Sequence, residues 1–159
     1  MDGKDQATRT DKATRVILAK PRTLFRAFLD AEALACWRGP DGMEVEVRDL
    51  DPRTGGGYRM VLRYQGDDRH KHGKSRPGED EVAVRFVELL ADEKIVEEVR
   101  FCSDDPAFAR PMILTTTLVP DRDGTRVTFL AQDVPDSIRP EDHAEGMAAS
   151  LRNLARLTE

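Results

Sequence analysis

The chain has 159 residues, 39% hydrophobic and 35% charged, with a formal net charge of -5, which fits one folded domain around one core with a heavily charged surface. That acidic balance excludes a protein that holds nucleic acid mainly through Lys and Arg on phosphates. No stretch approaches the roughly 18 apolar residues of a spanning helix, and the opening MDGKDQATRTDKATR has no apolar run, so neither membrane insertion nor a signal peptide is expected.

In chain order, residues 1–12 are polar and aperiodic and read as a disordered tail, leaving 13–159 as the domain. ATRVILA, Ala13 to Ala19, is a short β-branched strand. Pro21 stands at a helix start, and Leu24, Phe25 and Phe28 recur at helical spacing. Asp30 is placed to cap a second short helix, AEALACW, which Gly39, Pro40 and Gly42 end. The period then drops to two. MEVEV puts Met43, Val45 and Val47 on one face, and YRMVLRY does the same for Tyr58, Met60, Leu62 and Tyr64. After a polar loop, QGDDRHKHGKSRPGED, come the strands EVAVRFVELL, IVEEVRF, MILTTTLV and RVTFLA. A helix from about Pro140 to Thr158 closes the chain, with Glu141 and Asp142 in its first turn and Ala144, Met147, Ala148, Leu151, Leu154 and Ala155 on one face. Consecutive strands with tight turns make an antiparallel meander, and the apolar stripe of the last helix should pack on it, an α+β arrangement.

The stretch DPRTGGGYRM looks like a phosphate loop, but that mechanism needs a helix after the glycines whose amides point at the anion. A strand follows instead, so the triplet reads as a turn and bulge between antiparallel strands. Cys36 and Cys102 are far apart and form no CxxC pair. They read as reduced, buried, cytoplasmic thiols and not as zinc ligands. His70 and His72 lie two apart in the polar loop with no third ligand, which is a weak metal site. No metal and no cofactor are expected.

Trp37, Gly39-Pro40, the apolar strand Met43 to Val47, Asp49, Gly55 to Gly57 and Tyr58 stand in an order that resembles the START-like (SRPBCC, helix-grip) superfamily, in its activator of heat-shock-protein ATPase homologue branch. AKPRTLFRAFLD, GTRVTF and EGMAASLRNLARL are also similar to that branch. Met147 departs from it, since many members carry a tryptophan there. The resemblance implies a helix-grip fold: a curved antiparallel sheet wrapped around a long C-terminal helix, with two short helices after the first strand and a cavity between sheet and helix. Superfamily members bind sterols, lipids, polyketides or plant hormones, and some catalyse cyclisations or hydrolyses.

The inward-facing set read from parity is Met43, Val45, Val47, Met60, Leu62, Tyr64, Val84, Phe86, Val99, Phe101, Met112, Leu114, Phe129, Met147, Leu151 and Leu154, with Trp37 closing one end. Periodicity does not separate a cavity wall from a filled core. Glu97 shares the parity of Ile95, Val99 and Phe101, and a buried carboxylate is costly unless paired or protonated. It is a candidate ligand anchor or acid/base, and its replacement by glutamine should be tolerated by the fold. His143 lies one turn before Met147 and is a candidate base if something orients it. Tyr64 offers a hydroxyl. Three function classes follow: a binding protein for a small apolar or amphipathic molecule, an enzyme acting on a cyclic or polyketide-like substrate, and a co-chaperone-like interaction protein. A homodimer is compatible with each.

Overall fold

Alternating side chains and short polar turns build the sheet. The computed structural model describes residues 9–39, 42–65 and 78–159. Its elements are β1 (Thr10–Ile17), α1 (Pro21–Ala27), α2 (Ala31–Trp37), β2 (Met43–Asp51), β3 (Gly57–Tyr64), β4 (Glu79–Leu90), β5 (Lys94–Phe101), a 3-10 turn (Pro106–Phe108), β6 (Met112–Asp121), β7 (Gly124–Gln132) and α3 (Pro140–Thr158). The seven strands form one antiparallel sheet in the order β1-β7-β6-β5-β4-β3-β2. This curved sheet with a long closing helix is the helix-grip arrangement.

Both helical signals act as their chemistry demands. Pro21 occupies the first turn of α1, where a missing N–H costs nothing, and Leu24, Phe25 and Ala27 are buried. Asp30 caps α2: its Oδ1 accepts from the amides of Glu32 at 2.9 Å and Ala33 at 3.1 Å. On the sheet, Tyr58, Met60, Leu62, Val82, Val84, Phe86, Val99, Met112, Leu114 and Phe129 are buried. Cross-strand charges cover the other face. Arg63 reaches Glu46 at 2.9 Å, Glu79 at 3.0 Å and Glu44 at 3.2 Å. Such exposed pairs stabilise little individually, and they keep that face in water.

Three expectations are corrected. The first strand begins at Thr10, not Ala13, because Thr10, Asp11 and Lys12 pair with Gln132, Ala131 and Leu130 of β7; the expected tail therefore yields its last three residues to the sheet. It ends at Ile17, and Leu18, 64% exposed, has already left it. On α3, Ala144 and Ala148 are exposed, while Ala149 and Ser150 are buried beside Met147, Leu151, Leu154 and Ala155. The helix packs on α2 and β1, so its buried stripe turns toward Ser150, whose hydroxyl donates to the Arg38 carbonyl at 3.0 Å. Cys36 is exposed and Cys102 half-buried, both as free thiols. On α2 the inward face belongs to Leu34 and Trp37, three residues apart, and Cys36 falls on the opposite side.

The glycine triplet is structural. Gly55 has φ +88, a conformation that side chains disfavour. A Cβ on Gly56 would stand 2.3 Å from the Asp51 carbonyl oxygen and 2.7 Å from its Cγ. The segment also joins the sheet: the Gly55 amide donates to Phe86 O at 2.8 Å, and the Phe86 amide donates back to Gly56 O at 2.9 Å. Gly56→Ala should therefore cost about 1–3 kcal/mol by forcing the backbone aside. Urea unfolding measures this, and an unchanged midpoint would contradict it.

Candidate functional site

Between the sheet and α3 lies a cleft of about 690 Å³. The walls are the inner face of the sheet: Met43, Met60, Leu62, Tyr64, Val84, Val99, Phe101, Met112, Leu114 and Phe129, all among the residues expected from parity. His143 and Met147 of α3 also line it. Around the mouth stand the exposed Ser137, Arg139, Asp142 and Glu145. Small-molecule sites have this construction, apolar walls with a few placed polar groups.

Seven expected lining residues lie elsewhere. Trp37, Phe86, Leu151 and Leu154 are fully buried in the packed core, and Val45 and Val47 are half-buried against it. Parity gives the side of a strand, whereas depth depends on what packs above it. Trp37 touches Phe28 edge-on at 4.7 Å and stacks on Phe129 at 6.3 Å, which closes that end of the core. Phe86 packs against Tyr58 at 5.8 Å.

Glu97 points inward but does not line the cleft. Its side chain is completely buried and pairs with Arg38, Nη2 to Oε1 at 2.9 Å. The Tyr58 hydroxyl donates to its other oxygen at 3.3 Å. Burial opposes the Arg38 cation, but the Glu97 carboxylate, with Tyr58, outweighs it and holds the arginine pKa above its ordinary value. Burial pushes the Tyr58 phenol up, Arg38 opposes and Glu97 adds to the shift, so Tyr58 stays a donor. Because Glu97→Gln alone would strand the buried Arg38 charge, the expectation that this change is tolerated is corrected.

Arg38 was not anticipated from the sequence. It follows the last residue of α2 and lines the cleft. Helix α3 fixes its backbone: Ser150 binds its carbonyl, and Asn153 Nδ2 donates to Gly39 O at 3.3 Å. The signal available was Glu97 itself, since an inward carboxylate requires a partner. Asp80, 3% exposed and accepting from the Tyr64 hydroxyl at 3.4 Å, also lines the cleft and was missed.

His143 has an orienting partner. Its Nδ1 lies 2.7 Å from Asp11 Oδ2, and Arg9 Nη2 holds the same oxygen at 2.7 Å. When Nδ1–H donates to Asp11, Nε2 is left as a proton acceptor. The partner went unseen because Asp11 fell within the expected tail. Hydrogen bonding from Arg9 lowers the Asp11 pKa, partial burial opposes this, and His143 adds to the lowering. A carboxylate depressed on folding contributes stability that is fully present above its unfolded pKa of about 3.9 and lost as pH falls through the folded value. Through Asp11 itself, the stability difference between the wild type and Asp11→Asn should thus shrink as pH falls below about 4. Urea unfolding at pH values between about 5 and about 2.5 tests this, and a difference that grows below about pH 4 would refute it.

Among the described residues, no group of three or more His, Cys, Asp or Glu side chains is placed to hold a metal. His70 and His72 lie outside the described residues. No helix among the described residues is long and apolar enough to cross a membrane.

The family model for activator of Hsp90 ATPase homolog 1-like proteins matches residues 18–159. A Chromobacterium violaceum protein of known structure shares 32% identity, with a TM-score of 0.81 over 95% of this chain and 98% of that one. A Rhizobium loti protein shares 28% identity, with a TM-score of 0.65 over 94% of this chain and 96% of that one. The AHSA1 protein of Silicibacter pomeroyi, at 20% identity with a TM-score of 0.74 over 94% and 96%, shares the fold. Comparison with curated proteins gives no match.

Proposed function

The chain belongs to the family of activator of Hsp90 ATPase homolog 1-like proteins, and from that premise we propose that it binds a small amphipathic molecule between its sheet and α3. The observation that carries this reading is the cleft of about 690 Å³, whose walls are largely apolar and whose polar groups include Arg38, the Tyr64–Asp80 pair and the residues at the mouth. A solvent-accessible apolar wall of this kind gains free energy by covering itself with ligand, at roughly 25 cal/mol per Å² removed from water.

Met147 is 7% exposed, lines the cleft and stands on α3 opposite the sheet. Met147→Trp should extend into the open volume, weaken binding of a neutral apolar dye by about tenfold, and leave the melting temperature within a few degrees of wild type. If the variant unfolds, the space is a packed core and the reading fails. Native mass spectrometry of protein from its own host should show a retained small molecule.

The His143–Asp11 pair favours a second reading, an enzyme acting on a cyclic or polyketide-like substrate. In that reading His143, held by Asp11 and lining the cleft, takes a proton from a bound molecule. His143→Gln would then abolish turnover and spare binding, whereas a carrier would show no turnover to lose. The co-chaperone reading rests on the family's name, and stimulation of a chaperone ATPase that is insensitive to Met147→Trp would favour it.

A further inference from the structure

This inference rests on the cleft being the binding site proposed above. Arg38 is held in an unusual state. Its side chain is 8% exposed, its guanidinium lies 5.1 Å from the Trp37 ring and 5.8 Å from the Phe28 ring, and Nη2 is bound to Glu97. Nη1 is buried with no acceptor. The other buried unpartnered side-chain atom among the described residues, Thr116 Oγ1, does not belong to the cleft. A buried donor without an acceptor is costly, more so on a charged group, and native proteins keep few of them. Here the residue carrying that donor also lines the cleft, so a small shift of the side chain toward the cleft brings Nη1 to a ligand oxygen there.

We propose that Arg38 Nη1 is the head-group site of the cleft, and that its ligand is an apolar molecule bearing a neutral hydrogen-bond acceptor, such as a ketone, ester or lactone carbonyl. Neutrality follows from Glu97. The guanidinium already has a full counter-charge at 2.9 Å. A ligand carboxylate would set two anions against one cation in a water-poor site, and one of them would remain uncompensated. A carbonyl oxygen accepts from Nη1 without adding charge. A fatty carboxylate entering the same cleft would keep its charged end in water at the mouth, where Arg139, Asp142 and Glu145 stand, and would not report on Arg38.

The test uses methyl octyl ketone and decanoate, titrated into the full chain and followed by fluorescence of its single tryptophan, Trp37, which lies against the guanidinium. A hydrogen bond to a charged donor is worth a factor of about ten or more. The ketone should lose at least about tenfold in affinity in the double variant Arg38→Met/Glu97→Gln, while decanoate changes by less than about twofold. An equal loss for both probes would overturn the neutral-acceptor assignment. No loss for either would overturn Arg38 as the head-group site while leaving the cleft as a binding site. Failure of both to bind wild type would retire the cleft reading and this assignment with it. Should the double variant fold poorly, the ketone carbonyl labelled with carbon-13 and bound to wild type decides the matter. A downfield shift from its position in apolar solvent is expected, and an unshifted resonance refutes the assignment.

Discussion

Arg38→Met should destabilise the fold by about 3–5 kcal/mol, the usual cost of removing one partner of a buried ion pair. Glu97 has no water to fall back on: its side chain is fully buried, and the Tyr58 hydroxyl at 3.3 Å is the partner that remains. That phenol is already committed as a donor, so it cannot offset a whole charge. Adding Glu97→Gln should recover most of the loss, because two apolar or neutral groups of similar volume replace two desolvated charges, an exchange that is often neutral or favourable. The pair therefore gives a large coupling in a double-mutant cycle while adding little net stability. Urea unfolding of the four proteins measures it. A single variant that costs less than about 1 kcal/mol would mean that Glu97 finds solvent or a proton cheaply, and the pair would lose its structural meaning.

The same pair shows what could and could not be read in advance. Alternation in IVEEVRF is enough to turn Glu97 inward, because side-chain period on a strand is a local property. Its partner stands 59 residues earlier, after the end of a short helix, and nothing local to Arg38 distinguishes it from the surface arginines. The order of elements was legible for similar reasons: Pro21, Asp30 and Pro140 act on their own turns, and the strands alternate. What failed was decided by distant neighbours. Thr10 to Lys12 are polar, and they become strand only because β7 offers them a ladder. Ala144 and Ala148 carry too little apolar area to set the rotation of α3, so its contacts with α2 and β1 decide. Alternation made the inward side of each strand legible. The division between the lining Phe101 and Met112 and the packed Phe86 and Leu154 was not, because it depends on where the helices come to rest.

Trp37→Ala should cost about 3–5 kcal/mol, the range for large buried aromatics. The ring is fully buried, contacts Phe28 at 4.7 Å and Phe129 at 6.3 Å, and donates from Nε1 to the Ala27 carbonyl at 2.9 Å, tying the end of α2 back to α1. Trp37→Phe separates these contributions. It keeps most of the packing and leaves the Ala27 carbonyl without its donor, so it should cost about 1–3 kcal/mol. The two variants should also differ at the site. Trp37 lies against the Arg38 guanidinium at 5.1 Å, and Phe129, which it stacks on, lines the cleft. Alanine removes that backing and frees Arg38 to leave its place beside the cleft, whereas phenylalanine preserves an aromatic face. Affinity for methyl octyl ketone should accordingly fall by about tenfold or more in Trp37→Ala and by only a few-fold in Trp37→Phe, both measured by calorimetry below their melting transitions. Equal affinities in wild type and Trp37→Ala would show that Arg38 is held by Glu97 and α3 alone, with the tryptophan serving the core and not the site.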